Sequence, residues 1–411
     1  MSRRVCGRDI MTSQAVLLWF SYLMTIMCLP TAVAGNMSTA KHVLPGFPHL
    51  RRLRTISLPP ADFSTSLKTT NGDFQLPKIP MHVCVSPSSS CVSNSNLSDI
   101  SEVYGYETIY ANGARTCTEV QVDVAEMTGK RKDSSRRSRR QVYGSDGRFS
   151  ITDKVFVLRH PFATAVKLST GCSGVLVSEK HVLTAAHCLH DGHGYLHRAK
   201  GLRVGFLHLR RARKRSRSLL RSQPGGRSRR DAPELSFRWS RARRTMLPKG
   251  WIQANGNDTT AVNFDYAVVE LRRPHRQRYL EVGVSPSAGS LPGKRIHFSG
   301  FDDDHDGALV YRFCTVTEES PELMLQRCDA RPGASGSGVY VRRWDPGEGR
   351  WSRRLVGVFS GHRLVELEGT EDGDPGETKD FNVAVRITPL KLAQICLWLK
   401  ESQVKCTQGW Q

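Results

Sequence analysis

The chain has few acidic residues for its size, with 38 Asp and Glu against 60 Lys and Arg in 411 residues. The formal net charge is therefore +22. Such an excess of positive charge is typical of proteins that contact polyanions, namely nucleic acid, glycosaminoglycan or an acidic membrane. Hydrophobic residues still make up 39% of the sequence and charged residues 24%. This composition allows a packed core and argues against disorder of the whole chain.

Long apolar runs are also scarce. The run from Ala15 to Met27 follows a start that contains three arginines, and it precedes the small-residue sequence Ala-Val-Ala at 32–34. This order predicts a secretory signal peptide over residues 1–34, and the run is short for a membrane-spanning helix. An uncleaved anchor is the alternative. No later stretch of eighteen apolar residues follows, so we expect a soluble, secreted, extracellular protein without a membrane span.

Eleven cysteines in a secreted chain predict disulfide bonds. Two of them lie in the signal peptide, which leaves nine. Nine is odd, so one cysteine is either free or paired with another chain. Three Asn-x-Ser/Thr sequences, at Asn36, Asn96 and Asn257, predict glycosylation on the secretory route.

Residues 35–140 are rich in Ser and Thr and show poor periodicity, so they predict a poorly ordered pro-segment. The segment ends in a basic run whose last four residues are Arg-Ser-Arg-Arg. Mutual repulsion keeps such a run extended and exposed, as a processing protease requires. We therefore expect a furin-type protease to cleave after Arg140 and to leave 141–411 as the working domain. A solvated basic linker is the alternative.

Residues 141–411 have a β-rich pattern. Short runs of branched apolar residues bounded by turns recur, for example at 174–177, 181–184 and 266–271. Apolar residues at helical spacing between Leu390 and Leu399 predict one helix at the C-terminal end, with Pro389 suited to its first turn. Many short strands followed by one terminal helix predict an all-β fold of paired antiparallel barrels.

A basic insertion at 209–244 interrupts this pattern. It contains fourteen Lys and Arg against two acids. Such a run cannot bury itself, so we expect an exposed and at least partly disordered loop. A loop of this charge is suited to heparan sulfate, with an affinity that falls as salt rises. Nucleic acid is disfavoured, because the chain is expected to be secreted and has no basic motif interleaved with aromatic residues.

Two short motifs carry the chemistry. The sequence Thr-Ala-Ala-His-Cys at 184–188 contains His187, and Gly-Ala-Ser-Gly at 333–336 contains Ser335. A serine hydroxyl is a weak nucleophile unless a base takes its proton, and histidine titrates in the right range. Each motif alone has an ordinary alternative, a structural histidine or a Gly/Ser loop. Together, with the histidine first and the serine last, they predict a serine hydrolase of the chymotrypsin type.

The supporting residues follow from position. Asp265 stands at the start of an apolar strand between His187 and Ser335, where a carboxylate can orient the imidazole. The backbone N–H groups of Gly333 and Ser335 can bind a developing oxyanion. Disulfides are expected for Cys172 with Cys188, sixteen residues apart, and then for Cys314 with Cys328, fourteen apart. The acidic residues within 302–306 suggest an exposed turn. They lack EF-hand spacing, so no metal and no cofactor are expected.

These motifs and the stretches around them resemble the trypsin-like serine proteases of chymotrypsin fold. The resemblance covers 141–411, excludes the basic insertion in detail, and extends weakly into 100–120. It implies two six-stranded antiparallel β-barrels with a C-terminal helix. It also implies a triad of His187, Asp265 and Ser335 that hydrolyses peptide bonds in protein or peptide substrates.

Departures from the family pattern lie near the nucleophile. Ala334 replaces the aspartate that captures a new amino terminus in trypsin. Cleavage after Arg140 would also expose a glutamine, which can cyclise and lose its charge. Candidate substrate-binding residues are Asp329, for a basic P1 residue before the cleaved bond, and Ser360 with His362, for an acidic one. Two functions therefore stay open: an active secreted endopeptidase, and a weak or inactive protease fold that acts by binding glycosaminoglycan or protein.

Overall fold

The protein is described here by a computed structural model that covers 47–64, 79–81, 97–123, 146–210, 234–253, 260–286, 289–305, 307–347, 349–367 and 378–399. The expected signal peptide, the processing site at Arg140, the three glycosylation sites and the centre of the basic insertion lie outside the described residues.

Strands dominate the described residues. They are β1 (His49–Leu58), β2 (Ile79–Met81), β3 (Tyr106–Tyr110), β4 (Arg115–Asp123), β5 (Phe149–Ser150), β6 (Ala165–Leu168), β7 (Ser173–Leu176), β8 (His181–Thr184), β9 (Arg203–Arg210), β10 (Glu234–Pro248), β11 (Ala267–Leu271), β12 (Glu281–Val282), β13 (Arg295–Gly300), β14 (Val310–Glu319), β15 (Leu323–Gln326), β16 (Gly338–Asp345), β17 (Arg350–Leu367) and β18 (Thr378–Arg386). The α-helices are α1 (Leu97–Tyr104), α2 (Lys249–Ile252) and α3 (Pro389–Leu399).

Six antiparallel strands close the first barrel. Their order is β10-β11-β8-β7-β6-β9, and β9 pairs back onto β10. Branched residues of β8 and β11 are fully buried, because both faces of these short strands are covered. The pairing of β8 with β11 brings Thr184 opposite Ala267. This register sets the residues just before β11 beside those just after β8.

The second barrel repeats the arrangement with β17-β16-β13-β14-β15-β18, and β17 pairs with β18 to close it. Its interior includes Phe298, Val339, Val356 and Phe359, all almost completely buried. The short strands β2 and β12 add in parallel to β17, and β5 adds to β14. Two six-stranded antiparallel barrels followed by a C-terminal helix confirm the fold expected from the sequence.

Residues from the expected pro-segment join the first barrel. Strands β1, β4 and β3 form a sheet in which β3 pairs with the second half of β10. Tyr106 is buried and its ring meets the edge of the Trp398 ring at 5.6 Å between centroids. Gln394 of α3 donates a hydrogen bond to the carbonyl of Tyr104. Residues 97–123 therefore contribute to the core, which the poor periodicity of 35–140 did not predict.

The ends of the basic insertion are ordered strands, which corrects the expectation of disorder for 209–210 and 234–244. Strand β10 pairs with β9 from Glu234 to Arg241, so the insertion leaves and re-enters the barrel as a β-ribbon. Leu235 and Phe237 alternate with Glu234, Ser236 and Arg238, and the two apolar side chains pack on the cluster that contains Phe301. Alternation of this kind buries one face of a strand while its charged face stays in solvent.

Helix α3 closes the fold against the first barrel. Its residues Leu392, Ile395 and Trp398 are buried in the same cluster as the strands of that barrel. Among the helices that the structure describes, none has the length and apolar character needed to cross a membrane.

Candidate active site

His187 lies in a short 3-10 turn, Ala186–Cys188, directly after β8. Ala185 and Ala186 are fully buried, so only small side chains fit beside the turn. A disulfide joins Cys172 to Cys188, with Cα atoms 6.0 Å apart. The bridge ties the turn to the start of β7, and cross-linking over such a loop typically adds about 3 kcal/mol of stability. The turn that carries His187 is therefore held by β8 on one side and by the disulfide to Cys172 on the other.

Asp265 is fully buried and faces His187. Its Oδ1 accepts the His187 backbone N–H at 2.9 Å, and its Oδ2 lies 2.7 Å from His187 Nδ1. A carboxylate only accepts, so Nδ1 carries the proton and Nε2 is left as the base. Burial alone would raise the pKa of Asp265, but the neighbouring His187 and the hydrogen bonds from His187 and Ser360 hold the pKa below its ordinary value.

Ser335 lies across the barrel interface, in the loop before β16. Its hydroxyl donates to the Ser360 carbonyl at 3.2 Å, and the Ser360 hydroxyl donates to Asp265 Oδ2 at 2.6 Å. The structure thus links Ser335, Ser360, Asp265 and His187 in one network. Catalytic hydrogen bonds are often incomplete before substrate binds, and a change of the serine rotamer redirects its hydroxyl.

Two backbone N–H groups of the serine loop are available to an oxyanion. Within the described residues, neither the Gly333 N–H nor the Ser335 N–H has a hydrogen-bond acceptor. The Pro332 carbonyl accepts from the Asp303 N–H at 2.9 Å, so the N–H of that peptide, which belongs to Gly333, points the opposite way. The Gly333 carbonyl accepts from the Ser173 hydroxyl at 2.7 Å.

Gly333 and Gly336 have backbone conformations that favour glycine, with φ of +94° and +83°. A side chain on Gly333 would meet the Phe301 carbonyl oxygen. One on Gly336 would meet the Thr184 hydroxyl and the Ser173 carbonyl. The loop therefore needs glycine at both positions for its conformation and for the space beside it.

The three candidate substrate-binding residues occupy different environments. Asp329 accepts the Gly147 backbone N–H at 2.7 Å, which engages one carboxylate oxygen. Ser360 is buried and holds Asp265. His362 is exposed, with Nε2 3.5 Å from Asp380 Oδ1. The structure therefore brings Ser360 into contact with Asp265, while the contacts of Asp329 and His362 within the described residues are with Gly147 and Asp380.

The acidic turn differs from the expectation of an exposed run. Asp302 is completely buried, and Arg312 Nη2 donates hydrogen bonds to its two oxygens at 2.6 and 2.7 Å. Arg148 Nη1 lies 3.1 Å from Asp302 Oδ2. The expectation was wrong for Asp302 because its partners, Arg312 and Arg148, lie outside the acidic run. Asp303 and Asp304 are exposed.

Sequence reasoning missed several residues at the site. The Trp251 ring lies 6.4 Å from the His187 ring, and its Nε1 donates to the His190 carbonyl. Arg363 extends toward the nucleophile: a methyl group placed on Gly361 would lie 3.8 Å from Arg363 Nη1 and 4.0 Å from Ser335 Oγ. The sequence signal for Arg363 was its position three residues after Ser360, in the strand expected to contact substrate.

A cluster of possible metal ligands coincides with the disulfide. Ligand atoms of Cys172, His187 and Cys188 lie within 4.8 Å of one another. The two sulfurs are bonded to each other, and a disulfide sulfur is not the thiolate that binds a metal. This cluster therefore does not fit a metal ion.

Two antiparallel six-stranded barrels, with a His–Asp pair after a strand of the first and a glycine-bounded serine loop in the second, define the chymotrypsin class of fold. Residues 172–345 match the family model described as trypsin-like peptidase domain. Human serine protease 23 is 50% identical over 316 residues, which cover 74% of this chain and 78% of that protein. Mouse serine protease 23 is 42% identical over 402 residues, or 94% of this chain and 98% of that protein.

Mouse inactive serine protease 35 is 48% identical over 345 residues, which cover 76% of this chain and 82% of that protein. The chain belongs to the trypsin-like serine protease family, in the group formed by serine protease 23 and inactive serine protease 35. Since one relative is named inactive, family membership alone leaves the activity of this chain open.

Proposed function

We propose that this chain is a secreted serine endopeptidase in which His187, Asp265 and Ser335 hydrolyse peptide bonds. The observation that carries the proposal is the 2.7 Å contact between His187 Nδ1 and Asp265 Oδ2 in a chain that retains a serine at 335. By accepting the Nδ1–H, the buried carboxylate fixes the tautomer in which Nε2 is the basic nitrogen, and it stabilises the imidazolium that forms in the reaction. A base in that state is what an attacking serine needs.

In the proposed reaction, the Ser335 hydroxyl leaves the Ser360 carbonyl and gives its proton to His187 Nε2 as the oxygen attacks the substrate carbonyl. The resulting oxyanion accepts hydrogen bonds from the free N–H groups of Gly333 and Ser335. His187 then passes the proton to the departing amine, and an acyl-enzyme remains. Water repeats the sequence in the second half-reaction and restores Ser335.

For specificity, we favour an acidic P1 residue over a basic one. Arg363 and Ser335 flank the same space above Gly361, so positive charge stands beside the nucleophile. Burial lowers the pKa of the Arg363 guanidinium, and the Asp265 carboxylate opposes the shift. Asp329, the acid proposed for a basic P1 residue, has an oxygen engaged by Gly147.

The activity is tested by labelling the secreted protein with a fluorophosphonate probe, beside Ser335→Ala. Labelling that is lost in the variant supports an activated serine. No labelling of folded wild-type protein would overturn the proposal. Peptides that differ only in a Glu, Arg or Ala at P1 then test specificity. Arg363→Gln should lower kcat/KM for the Glu peptide about tenfold or more and leave the Ala peptide nearly unchanged, while faster cleavage of the Arg peptide by the wild type would favour Asp329.

A second candidate function is binding of a sulfated polyanion such as heparan sulfate. Two clefts share Arg203 and also include Arg198, Arg241 and Arg272, and one of them is also lined by Asp303. Arg203 also stacks over the Trp239 ring at 5.7 Å. This basic surface continues from the strands that frame the insertion at 209–244, so the insertion can extend the same binding site.

Heparin chromatography separates the contributions to this second function. We compare the wild type, a deletion of 211–233, and an Arg203→Gln/Arg241→Gln variant. If the surface binds specifically, the Arg203→Gln/Arg241→Gln variant elutes at lower salt than a control that loses two positive charges elsewhere, Arg51→Gln/Arg54→Gln, and the deletion elutes at lower salt than the wild type. Elution of all variants according to net charge alone would reject the site. Cleavage after Arg140 by a furin-type protease and glycosylation at the three sequons remain proposals from sequence.

A further inference from the structure

A buried ion cluster lies beside the serine loop and outside the triad network. Its centre is Asp302, which immediately follows Phe301 and is completely buried. Its partners Arg312 and Arg148 have side chains only 1% and 8% exposed. Burying charges is unfavourable unless they pair with one another, so loss of one partner from a buried cluster of this kind is strongly destabilising.

The cluster contacts the loop that leads to the nucleophile. Asp302 Oδ2 accepts the Arg331 backbone N–H at 3.2 Å, and the Arg331 carbonyl in turn accepts the Ala334 N–H at 3.1 Å. The adjacent Asp303 N–H donates to the Pro332 carbonyl at 2.9 Å. Because that bond sets the plane of the peptide before Gly333, residues 302–303 determine where the Gly333 N–H points.

The same loop is held from the other side by residues 146–148. The Gly147 N–H donates to Asp329 Oδ2 at 2.7 Å, and Arg148 Nη1 lies 3.1 Å from Asp302 Oδ2. Arg148 also pairs with Asp146 and Asp304, at 2.8 and 2.9 Å. The segment 146–148 thus contacts Asp329, at the start of the loop, and the Asp302 carboxylate, which binds the loop at Arg331.

Position 334, which corresponds to the activating aspartate of trypsin, is apolar in this chain. Ala334 is completely buried and packs in the core of the second barrel. No carboxylate at 334 is available to receive a new amino terminus. Besides Arg312, the cation that contacts Asp302 is the side chain of Arg148, eight residues beyond the expected processing site at Arg140.

We propose that Arg148, by its contact with Asp302, holds the 329–335 loop in the conformation that keeps the Gly333 and Ser335 N–H groups free. Assembly of the oxyanion site then does not require cleavage after Arg140. Arg148 is a positioning residue, since it acts through Asp302 and the loop and not on substrate. The inference rests on the proposed peptidase function and adds how its site is assembled.

Four proteins test the proposal by kinetics: wild type, Arg148→Met, Arg148→Lys and Arg140→Ala. The loss of positioned oxyanion donors typically costs about 10²-fold or more in rate. We expect Arg148→Met to lower kcat by about 10²-fold with little change in KM, and Arg148→Lys to recover most of the loss. Uncleaved Arg140→Ala should keep wild-type kcat. Arg54→Met, which removes an exposed arginine paired with Glu119, serves as the matched control.

Hydrogen exchange gives a readout that does not depend on catalysis. In a Ser335→Ala background, Arg148→Met should speed exchange at the hydrogen-bonded amides of Arg331, Ala334 and Gly336 and leave those of β8 and β11 protected. The inference would be overturned if the loop amides exchanged equally fast with and without Arg148→Met, or if Arg148→Met left kcat unchanged. Loss of protection throughout the barrels would mean that Arg148→Met unfolds the protein. The Arg148→Lys variant then tests the proposal, because a cation at 148 should restore protection of the loop amides.

The two proposals fail in different ways. If the wild type does not react with fluorophosphonate, the peptidase function fails, yet hydrogen exchange still reports whether Arg148 holds the loop. If the wild type reacts and uncleaved Arg140→Ala does not, the function stands and the inference is rejected, because the site then depends on processing.

Discussion

The hydroxyl of Ser360 donates a hydrogen bond to Oδ2 of Asp265 over 2.6 Å, in a pocket where neither side chain is accessible to solvent. The same Oδ2 atom lies 2.7 Å from His187 Nδ1, so one oxygen serves two donors. A buried carboxylate is costly unless its acceptor sites are filled. Ser360 thus helps the first barrel keep a charged aspartate, although it belongs to a strand of the second.

Replacement of Ser360 by alanine should weaken the candidate base and leave the fold intact. Without the Ser360 hydroxyl, Asp265 keeps its bonds to His187 but loses one that favours the ionised carboxylate. A hydrogen bond to a charged group is worth about 1.5–3 kcal/mol, so we expect kcat/KM to fall about tenfold or somewhat more. The matched control is Ser352→Ala, which removes a hydroxyl bound to the Arg343 carbonyl of the same barrel. An unchanged kcat/KM would contradict the proposed role.

The same variant has a predicted pH effect on stability. The pKa of Asp265 is lowered in the folded state, so its contribution is complete above the unfolded value of 3.8 and is lost as pH falls through the folded value. Ser360→Ala should raise the folded pKa toward 3.8 and reduce this contribution. Denaturant unfolding at pH 7 and at pH 3 measures it: the wild type should be the more stable at pH 7, with a smaller difference at pH 3.

Alanine at Gly336 should abolish activity and destabilise the protein. The new methyl group would meet the Thr184 hydroxyl and the Ser173 carbonyl, and φ is +83°. Gly113→Ala provides the control, because Gly113 has a φ of +90° but no neighbour within 4 Å of an added methyl group. The control should lose roughly 1–2 kcal/mol from backbone strain alone. Chemical denaturation should show a clearly larger loss for Gly336→Ala, and equal losses would mean that the loop can relax around the added group.

Acid should destabilise the protein through His190. This side chain is buried, and its Nδ1 accepts the Gly192 N–H at 3.1 Å, which requires the unprotonated ring. Burial lowers its pKa from 6.5 to about 4. The neutral form therefore contributes full stability above pH 6.5, and this contribution falls as pH drops toward 4, by roughly 3 kcal/mol in total. His190→Asn should flatten the slope of unfolding free energy over this range, and substitution of the exposed His193 should not.

The sequence was most informative where local patterns coincide with local structure. The strands beside His187 and Asp265 are short apolar runs, and both motif loops lie between such runs. Asp302 was misjudged because an acidic run has the pattern of an exposed turn, while one of its neutralising partners, Arg148, is 154 residues away. The sheet of β1, β3 and β4 was missed because its contacts join distant segments: Tyr104 and Gln394 are 290 residues apart. The alternation of buried Thr118, Val120 and Val122 was a usable signal.

Cleavage after Arg140 should leave the N-terminal piece bound to the protease domain. Strand β3 pairs with β10 over five residues, and Tyr104 and Tyr106 are buried in the core shared with α3. Removal of these side chains from water contributes about 1.5–3 kcal/mol each, in addition to the strand hydrogen bonds. Cleaved protein should therefore elute from a sizing column as one particle and separate into two chains only in denaturant. Tyr106→Ala should release the N-terminal piece or lower the unfolding free energy by about 3–5 kcal/mol. The control Tyr110→Ala, at the half-buried end of β3, should do neither. Dissociation of the cleaved wild type under native conditions would contradict the shared core.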